Sequence, residues 1–336
     1  MRTNRIFLIL AISTFCTLGR AIPPHLDLTT EYGVDIHRSL LYPGDLARIR
    51  STGFKWVRVD LNWRNAERTR NVFDFTFFDV LANGLKAQGL RAVVVLAYGN
   101  PLYADFDDSS QFLSRIDSKD FRDAYVAFSA AAVAHFSGRG FIWEQWNEPN
   151  NKHFWPPAPN SESYVDLMKR ACMAIHEKSP NEIIIGPAVS YVDLLFIEAC
   201  LRGGMLNYWS GISVHPYRQT EPEGAAKDYA ELRALIARYA LPGQTVPIIC
   251  GEWGYSTAWK GYDDFKQADY ITRMFQVSRK ERIPLTIWYD WRNDGDDPAK
   301  QEHNFGLVRQ APGGLFEPRP AYFAALKEME TPSLPQ

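Results

Sequence analysis

Residues 141–150 read Phe141-Ile142-Trp143-Glu144-Gln145-Trp146-Asn147-Glu148-Pro149-Asn150. A mostly apolar run meets an amide, a carboxylic acid and a proline in succession. Pro149 has no N–H to give to a sheet ladder, so a strand over Phe141–Asn147 must end and turn here. The acid at its tip then projects past the edge of the sheet, into the mouth if the sheet closes on itself. An amide beside an acid binds a hydroxyl while the acid handles a proton. Standing alone, the segment reads equally well as a glutamate in an ordinary turn.

Working outward, the same grammar recurs. Val246–Cys250 is an apolar run that ends in Gly251-Glu252-Trp253-Gly254, an acid between glycines that allow close backbone approach. Strand-like runs also cover Tyr32–His37, Lys55–Asp60, Arg91–Ala97, Glu182–Ala188, Gly211–His215 and Leu285–Asp290, the run before Glu252 itself being a strand over Pro247–Gly251, and several are rich in Val and Ile, as strands buried on both faces are. Between them lie helical patterns. Phe121, Tyr125, Phe128, Ala132 and Phe136 form one stripe; Tyr164, Leu167, Ala171 and Ile175 form another, with Asn160 and Ser161 as caps. A third places Phe265, Ala268, Ile271 and Phe275 on one side, and Leu81 and Leu85 lead to a stop at Gly89. Eight strands alternating with helices predict a single (β/α)₈ barrel over residues 22–336. An open doubly wound sheet is the rival. The long connections Asn100–Ser118, Pro149–Asn160, Gly254–Tyr262 and Arg292–Pro318 all follow strands, which loads one face with loops, as a barrel's active face is loaded.

In an eight-stranded ring the fourth and seventh strands stand nearly opposite, so Glu148 and Glu252 face each other across the cavity. Cleavage of a glycosidic bond with retention needs such a pair about 5–5.5 Å apart. With both motifs in place, the chain resembles the retaining barrel glycosidases of clan A, which include cellulase-type family 5 and xylosidase-type family 39. The resemblance runs from Arg58 in Trp56-Val57-Arg58-Val59-Asp60 to Trp288 in Ile287-Trp288-Tyr289. It implies Glu148 as acid/base, Glu252 as nucleophile and Asn147 as the group that holds the sugar's 2-hydroxyl. It also implies His215 and Tyr217 beside the nucleophile, Arg58 beneath it, and Trp288 as a platform for the sugar being cleaved. Glu252 must be ionised to attack, and Arg58 and the Tyr217 hydroxyl would stabilise its charge; Glu148 must begin protonated. Blander readings stand beside these: Arg58 as a structural ion pair with Asp60 or Glu67, His215 as a core histidine, Trp288 as partly core. One departure is Leu96-Ala97-Tyr98-Gly99-Asn100-Pro101, where family 5 members often carry a histidine motif; it is closer to family 39. Tyr98 and Asn100 read as substrate contacts or as turn residues, and Asp35 and His37 are expected to face the cavity.

The 336 residues carry 37 basic and 39 acidic side chains, which leaves no electrostatic footprint for nucleic acid or an anionic membrane. Aromatics make up 14% of the chain, including 10 Trp, and Trp63, Trp155, Trp259 and Trp291 fall near predicted loops, where flat rings stack on sugars. The segment 1–21 reads as a secretory signal: Arg2 and Arg5, the apolar run Ile6–Leu18, then Gly19-Arg20-Ala21. An uncleaved anchor is its alternative; the expected location is secreted or periplasmic, with no membrane contact after cleavage. Cys172, Cys200 and Cys250 are no disulfide framework, although a Cys172–Cys200 bridge is open. No metal or cofactor is expected: zinc spacings are lacking, and Asp294-Gly295-Asp296-Asp297 reads as a solvated loop sooner than a calcium site. The expected function is hydrolysis of β-linked oligo- or polysaccharides by a monomer through a covalent glycosyl-enzyme. Transglycosylation at the same site and a silent carbohydrate-binding barrel are the alternatives.

Overall fold

The computed structural model describes residues 23–103 and 116–330. The expected signal segment, 1–21, lies outside the described residues, as does part of the loop that begins at Asn100. Eight strands close into a parallel barrel. They are β1 (Glu31–Asp35), β2 (Trp56–Asn62), β3 (Arg91–Ala97), β4 (Ile142–Gln145), β5 (Ile183–Ser190), β6 (Gly211–His215), β7 (Ile248–Trp253) and β8 (Leu285–Trp288). Each is hydrogen-bonded to its neighbours in chain order, and β8 pairs with β1 to close the ring. The open-sheet rival is thereby excluded.

One main helix follows each strand: α1 (Asp45–Ser51), α2 (Thr76–Ala87), α3 (Lys119–His135), α4 (Ser161–Lys178), α5 (Leu194–Arg202), α6 (Ala225–Ala237), α7 (Asp264–Lys280) and α8 (Pro320–Glu330). Four of them start on a side chain that accepts from a first-turn N–H: Ser118, Asn160, Asp193 and Asp263. Such caps satisfy donors that the helix cannot pair itself. The stripe expected on α7 is rotated. Phe265 is 79% exposed, and the buried face is carried by Gln267, Tyr270, Ile271, Met274 and Phe275.

Strand alternation sorts side chains between two cores. Inside the ring, Trp56, Val93, Ile142, Ile185, Ile249, Leu285 and Ile287 pack together, and Leu26 joins them. Their neighbours in sequence, such as Val57, Val94, Trp143, Ile184, Cys250 and Trp288, pack outward in the larger core. The inner stack turns polar one step nearer the loops: Arg58 of β2, Glu144 of β4 and Ser213 of β6 touch one another there. Apolar filling below and charged filling above set the loop-bearing end of the barrel apart from the other.

Among the described residues no helix is long and apolar enough to cross a membrane. Cys172, Cys200 and Cys250 are all free and buried. The Cys172 thiol donates to Gln145 Oε1 at 3.3 Å, so the Cys172–Cys200 bridge left open above is not formed.

Candidate active site

Arg58 organises the loop-bearing end of the barrel. Its Nε donates to Glu144 Oε2 at 2.6 Å, Nη1 to Asp35 Oδ2 at 2.9 Å and to Glu252 Oε1, and Nη2 to Asn147 Oδ1 at 2.8 Å. The guanidinium is buried, so its planar fork fixes the angles of four partners drawn from β1, β4 and β7 and from the turn after β4. Glu67 is engaged elsewhere, by Trp63 Nε1 at 2.6 Å and by Tyr103. The partner of Arg58 that the sequence reading did not single out is Glu144, fully buried and also bonded by the Ser213 hydroxyl. The signal was present. A charge inside an apolar strand must find an opposite charge, and Arg58 lies in just such another strand.

Glu148 sits just past β4 on a turn with two residues in the left-handed region, Trp146 at φ 70° and Glu148 at φ 44°. Non-glycine residues there store on the order of 1–3 kcal/mol each, so the surroundings must hold them. Trp146 Nε1 donates to the Phe154 carbonyl at 2.8 Å, Glu148 N to the Ala188 carbonyl at 2.9 Å, and Asn151 N to the Glu148 carbonyl at 2.9 Å. Opposite, β7 advances three residues, Cys250 to Trp253, while β8 advances two, Thr286 to Trp288. A bulge of this kind re-aims a side chain, here Glu252, towards the cavity.

The two glutamates meet at His215, whose Nδ1 lies 3.2 Å from Glu148 Oε1 and 3.6 Å from Glu252 Oε2. An oxygen of each carboxylate and the imidazole nitrogen all fall within 4.8 Å of one another. Tyr217 Oη donates to Glu252 Oε2 at 3.2 Å. Burial alone would lower the His215 imidazole, but Glu252 and the hydrogen bond with Glu148 outweigh it and hold the ring above its usual range. Burial pushes the Asp35 carboxyl up to about 7, against the pull of Arg58. The Tyr217 hydroxyl is held well above its usual range by burial and then by Glu252, so it stays a donor.

Arg58, Asn147, Glu148, Tyr217 and Glu252 line a cleft of about 970 Å³, together with Asp35, His37, Asp60 and Tyr98. Tyr98 stacks on Phe154 at 5.7 Å between ring centroids. Asn100 faces inward as a turn residue instead: its side chain bonds the Glu67 carbonyl and the Leu102 N–H. Trp288 does not reach the cleft. It is fully buried in the outer core, because Leu285 and Ile287 take the inward positions of β8 and alternation sends Trp288 towards the helices. The aromatic at this wall is Tyr289, in edge contact with Tyr217, Phe305 and His37. Of the four loop tryptophans, Trp63, Trp155 and Trp291 are buried and Trp259 alone lines the cleft. Tyr191, 62% exposed at the rim, was not foreseen.

With this geometry in hand, comparison with known proteins is specific. The model of the family described as glycosyl hydrolases family 39 matches residues 18–241. A β-xylosidase from Geobacillus stearothermophilus is 23% identical over 270 residues, 70% of this chain and 53% of that protein. A family 39 glycoside hydrolase from the gut symbiont Bacteroides cellulosilyticus superposes with a TM-score of 0.76 at 24% identity, covering 92% of this chain and 65% of that one. A family 39 β-xylosidase from Caulobacter crescentus gives 0.69 at 19% identity, covering 92% and 72%. The chain thus spans about half the length of the curated relative, and at these identities the structural likeness speaks for the fold.

Proposed function

The chain belongs to glycosyl hydrolase family 39, and from that premise we propose that it hydrolyses β-glycosidic bonds with retention of configuration, Glu252 acting as nucleophile and Glu148 as acid/base. One observation carries the reading: carboxylate oxygens from opposite sides of the barrel lie within 4.8 Å. Retaining enzymes hold their pair at about 5–5.5 Å, whereas inverting enzymes need roughly 6.5–9.5 Å to admit a water.

In the first step Glu252 attacks the anomeric carbon while Glu148 gives its proton to the departing oxygen. In the second, Glu148 takes a proton from the incoming water, which displaces the carboxylate. Arg58 and Tyr217 hold the attacking carboxylate in place. Arg58 also locates Asn147, whose Nδ2 side is left for a sugar hydroxyl because its Oδ1 accepts from Arg58. The substrate class is β-linked oligo- or polysaccharide, bound in a cleft of polar floor and aromatic rim. The charged start and apolar run near the beginning of the sequence support export from the cytoplasm.

Proton NMR of the products formed from an accepted aryl β-glycoside tests the mechanism. The β-anomer is expected first, with the α-anomer growing in by mutarotation. An α-anomer appearing first sinks the proposal.

A further inference from the structure

A second group of ligating side chains stands at the seam where β1 meets β8. His37 lies just past β1, Asp290 just past β8 and Asp294 four residues further on. His37 Nε2 is 3.8 Å from Asp290 Oδ2, and His37 Nδ1 is 3.7 Å from Asp294 Oδ1. One donor atom from each residue falls within 4.8 Å of the others. These separations exceed hydrogen-bond length, so the groups converge without satisfying one another.

Asp290 is the decisive residue. It is fully buried, and among the described residues neither of its carboxylate oxygens accepts a hydrogen bond. Asp294 Oδ1 and His37 Nε2 are likewise buried and unmatched. A buried carboxylate is ordinarily paired or bound to a metal, because desolvation otherwise costs several kcal/mol. A proton on Asp290 removes the charge, but the His37 Nε2 that faces it stands 3.8 Å away, beyond hydrogen-bond length. The other charged groups around it do not resolve this: Asp35, Asp294 and Glu302 repel, and Arg319 is bonded to Asp264 and Thr257. A cation satisfies all three side chains at once.

We propose that His37, Asp290 and Asp294 form a divalent metal site. An imidazole with two carboxylates suits zinc or manganese; calcium prefers six to eight oxygens. Both His37 and Asp294 line the cleft, so the remaining coordination positions open onto it. Occupied, the site ties the end of β1 to the segment after β8 and steadies Tyr289, which precedes Asp290 and meets the His37 ring at 5.7 Å. The inference does not depend on the hydrolytic reading.

The test uses the full chain, stripped with EDTA and titrated with Zn²⁺, Mn²⁺ or Ca²⁺. Zn²⁺ or Mn²⁺ is expected to bind at one equivalent and raise the melting temperature, with Ca²⁺ weaker. His37→Gln and Asp294→Asn should weaken binding at least as much as loss of an outer-sphere partner can, about a hundredfold. Glu148→Gln should bind normally, which separates this site from the second histidine–carboxylate cluster, Glu148, His215 and Glu252. Binding that survives His37→Gln, or that disappears in Glu148→Gln, overturns the proposal. Nitrogen NMR of the wild-type imidazoles gives a readout free of any folding defect in the variants. A His37 ring whose nitrogens do not respond to Zn²⁺ also overturns it.

Discussion

At the scale of single residues, the site is a problem in charge. One guanidinium serves three carboxylates, and the energetic weight falls on the pair farthest from solvent, Arg58 with Glu144. Glu144→Ala leaves Arg58 buried with one fewer counter-charge, and removal of one partner of a buried pair costs about 3–5 kcal/mol. Urea unfolding should report that loss. Turnover should fall as well, because the fork that aims Glu252 loses an anchor. Glu144→Gln keeps the volume and should lie between Ala and wild type on both measures; a Glu144→Ala variant of wild-type stability refutes the argument. The two glutamates proposed for the mechanism act differently. Glu148→Ala and Glu252→Ala should each lower turnover by roughly a thousandfold or more while the chain still folds. Azide should restore part of the Glu148→Ala activity with an activated substrate and give a product of retained configuration. With Glu252→Ala it should give the inverted glycosyl azide. Near-normal turnover in either variant would falsify the assignment.

At the scale of elements, the acids were legible because each closes an apolar run beside a residue that ends or bends a strand, Pro149 in one case and Gly251 in the other. Trp288 was misread for a reason of the same order. The motif fixes where the strand is, but side-chain facing depends on parity, and parity is set only when Leu285 and Ile287 are seen inside the ring. The bulge that turns Glu252 inward was also invisible, since it exists only as a mismatch between two strands. Glu144 was passed over because its partner lies 86 residues away. The same strand junction yields a test. A Cβ added at Gly254 would stand 2.0 Å from the Tyr289 carbonyl oxygen, so backbone must move. At Gly89, with φ +63°, a Cβ meets nothing within 4 Å. Gly254→Ala should therefore cost about 2–3 kcal/mol and raise KM by disturbing Tyr289. Gly89→Ala should cost about 1 kcal/mol from backbone strain and leave KM alone. Equal kinetic effects from the two variants would remove the argument that the β7–β8 junction shapes the cleft.

At the scale of the whole molecule, the barrel concentrates titratable groups in one dry place. A formal net charge of −2 says nothing of this, because the surface pairs its charges in solvent. Around the cleft, the carboxyl and imidazole shifts run one way. Burial raises Asp35 to about 7 and raises Asp60, while Glu252 and Glu148 raise His215 above the level that burial alone would set. Groups held above their ordinary values bind protons more tightly in the folded chain than in the unfolded one. Their contribution to stability is complete below the unfolded values, near 3.8 for the aspartates, and is lost as pH climbs through the folded ones. The carboxyls shifted the other way, Asp74, Asp123, Glu221 and Glu223, are at or near the surface and well screened, so they oppose this only weakly. Between these limits the folded state carries the excess protons, and stability must fall as they leave. The urea midpoint, measured in EDTA so that no cation neutralises the carboxylates, should decline from pH 5.5 to pH 8, with its steepest part near the Asp35 value of about 7. Asp35→Asn deletes the titration near 7 and should flatten the decline. A midpoint that rises across the range would mean that Arg58 wins over burial at Asp35 and keeps that carboxylate ionised throughout.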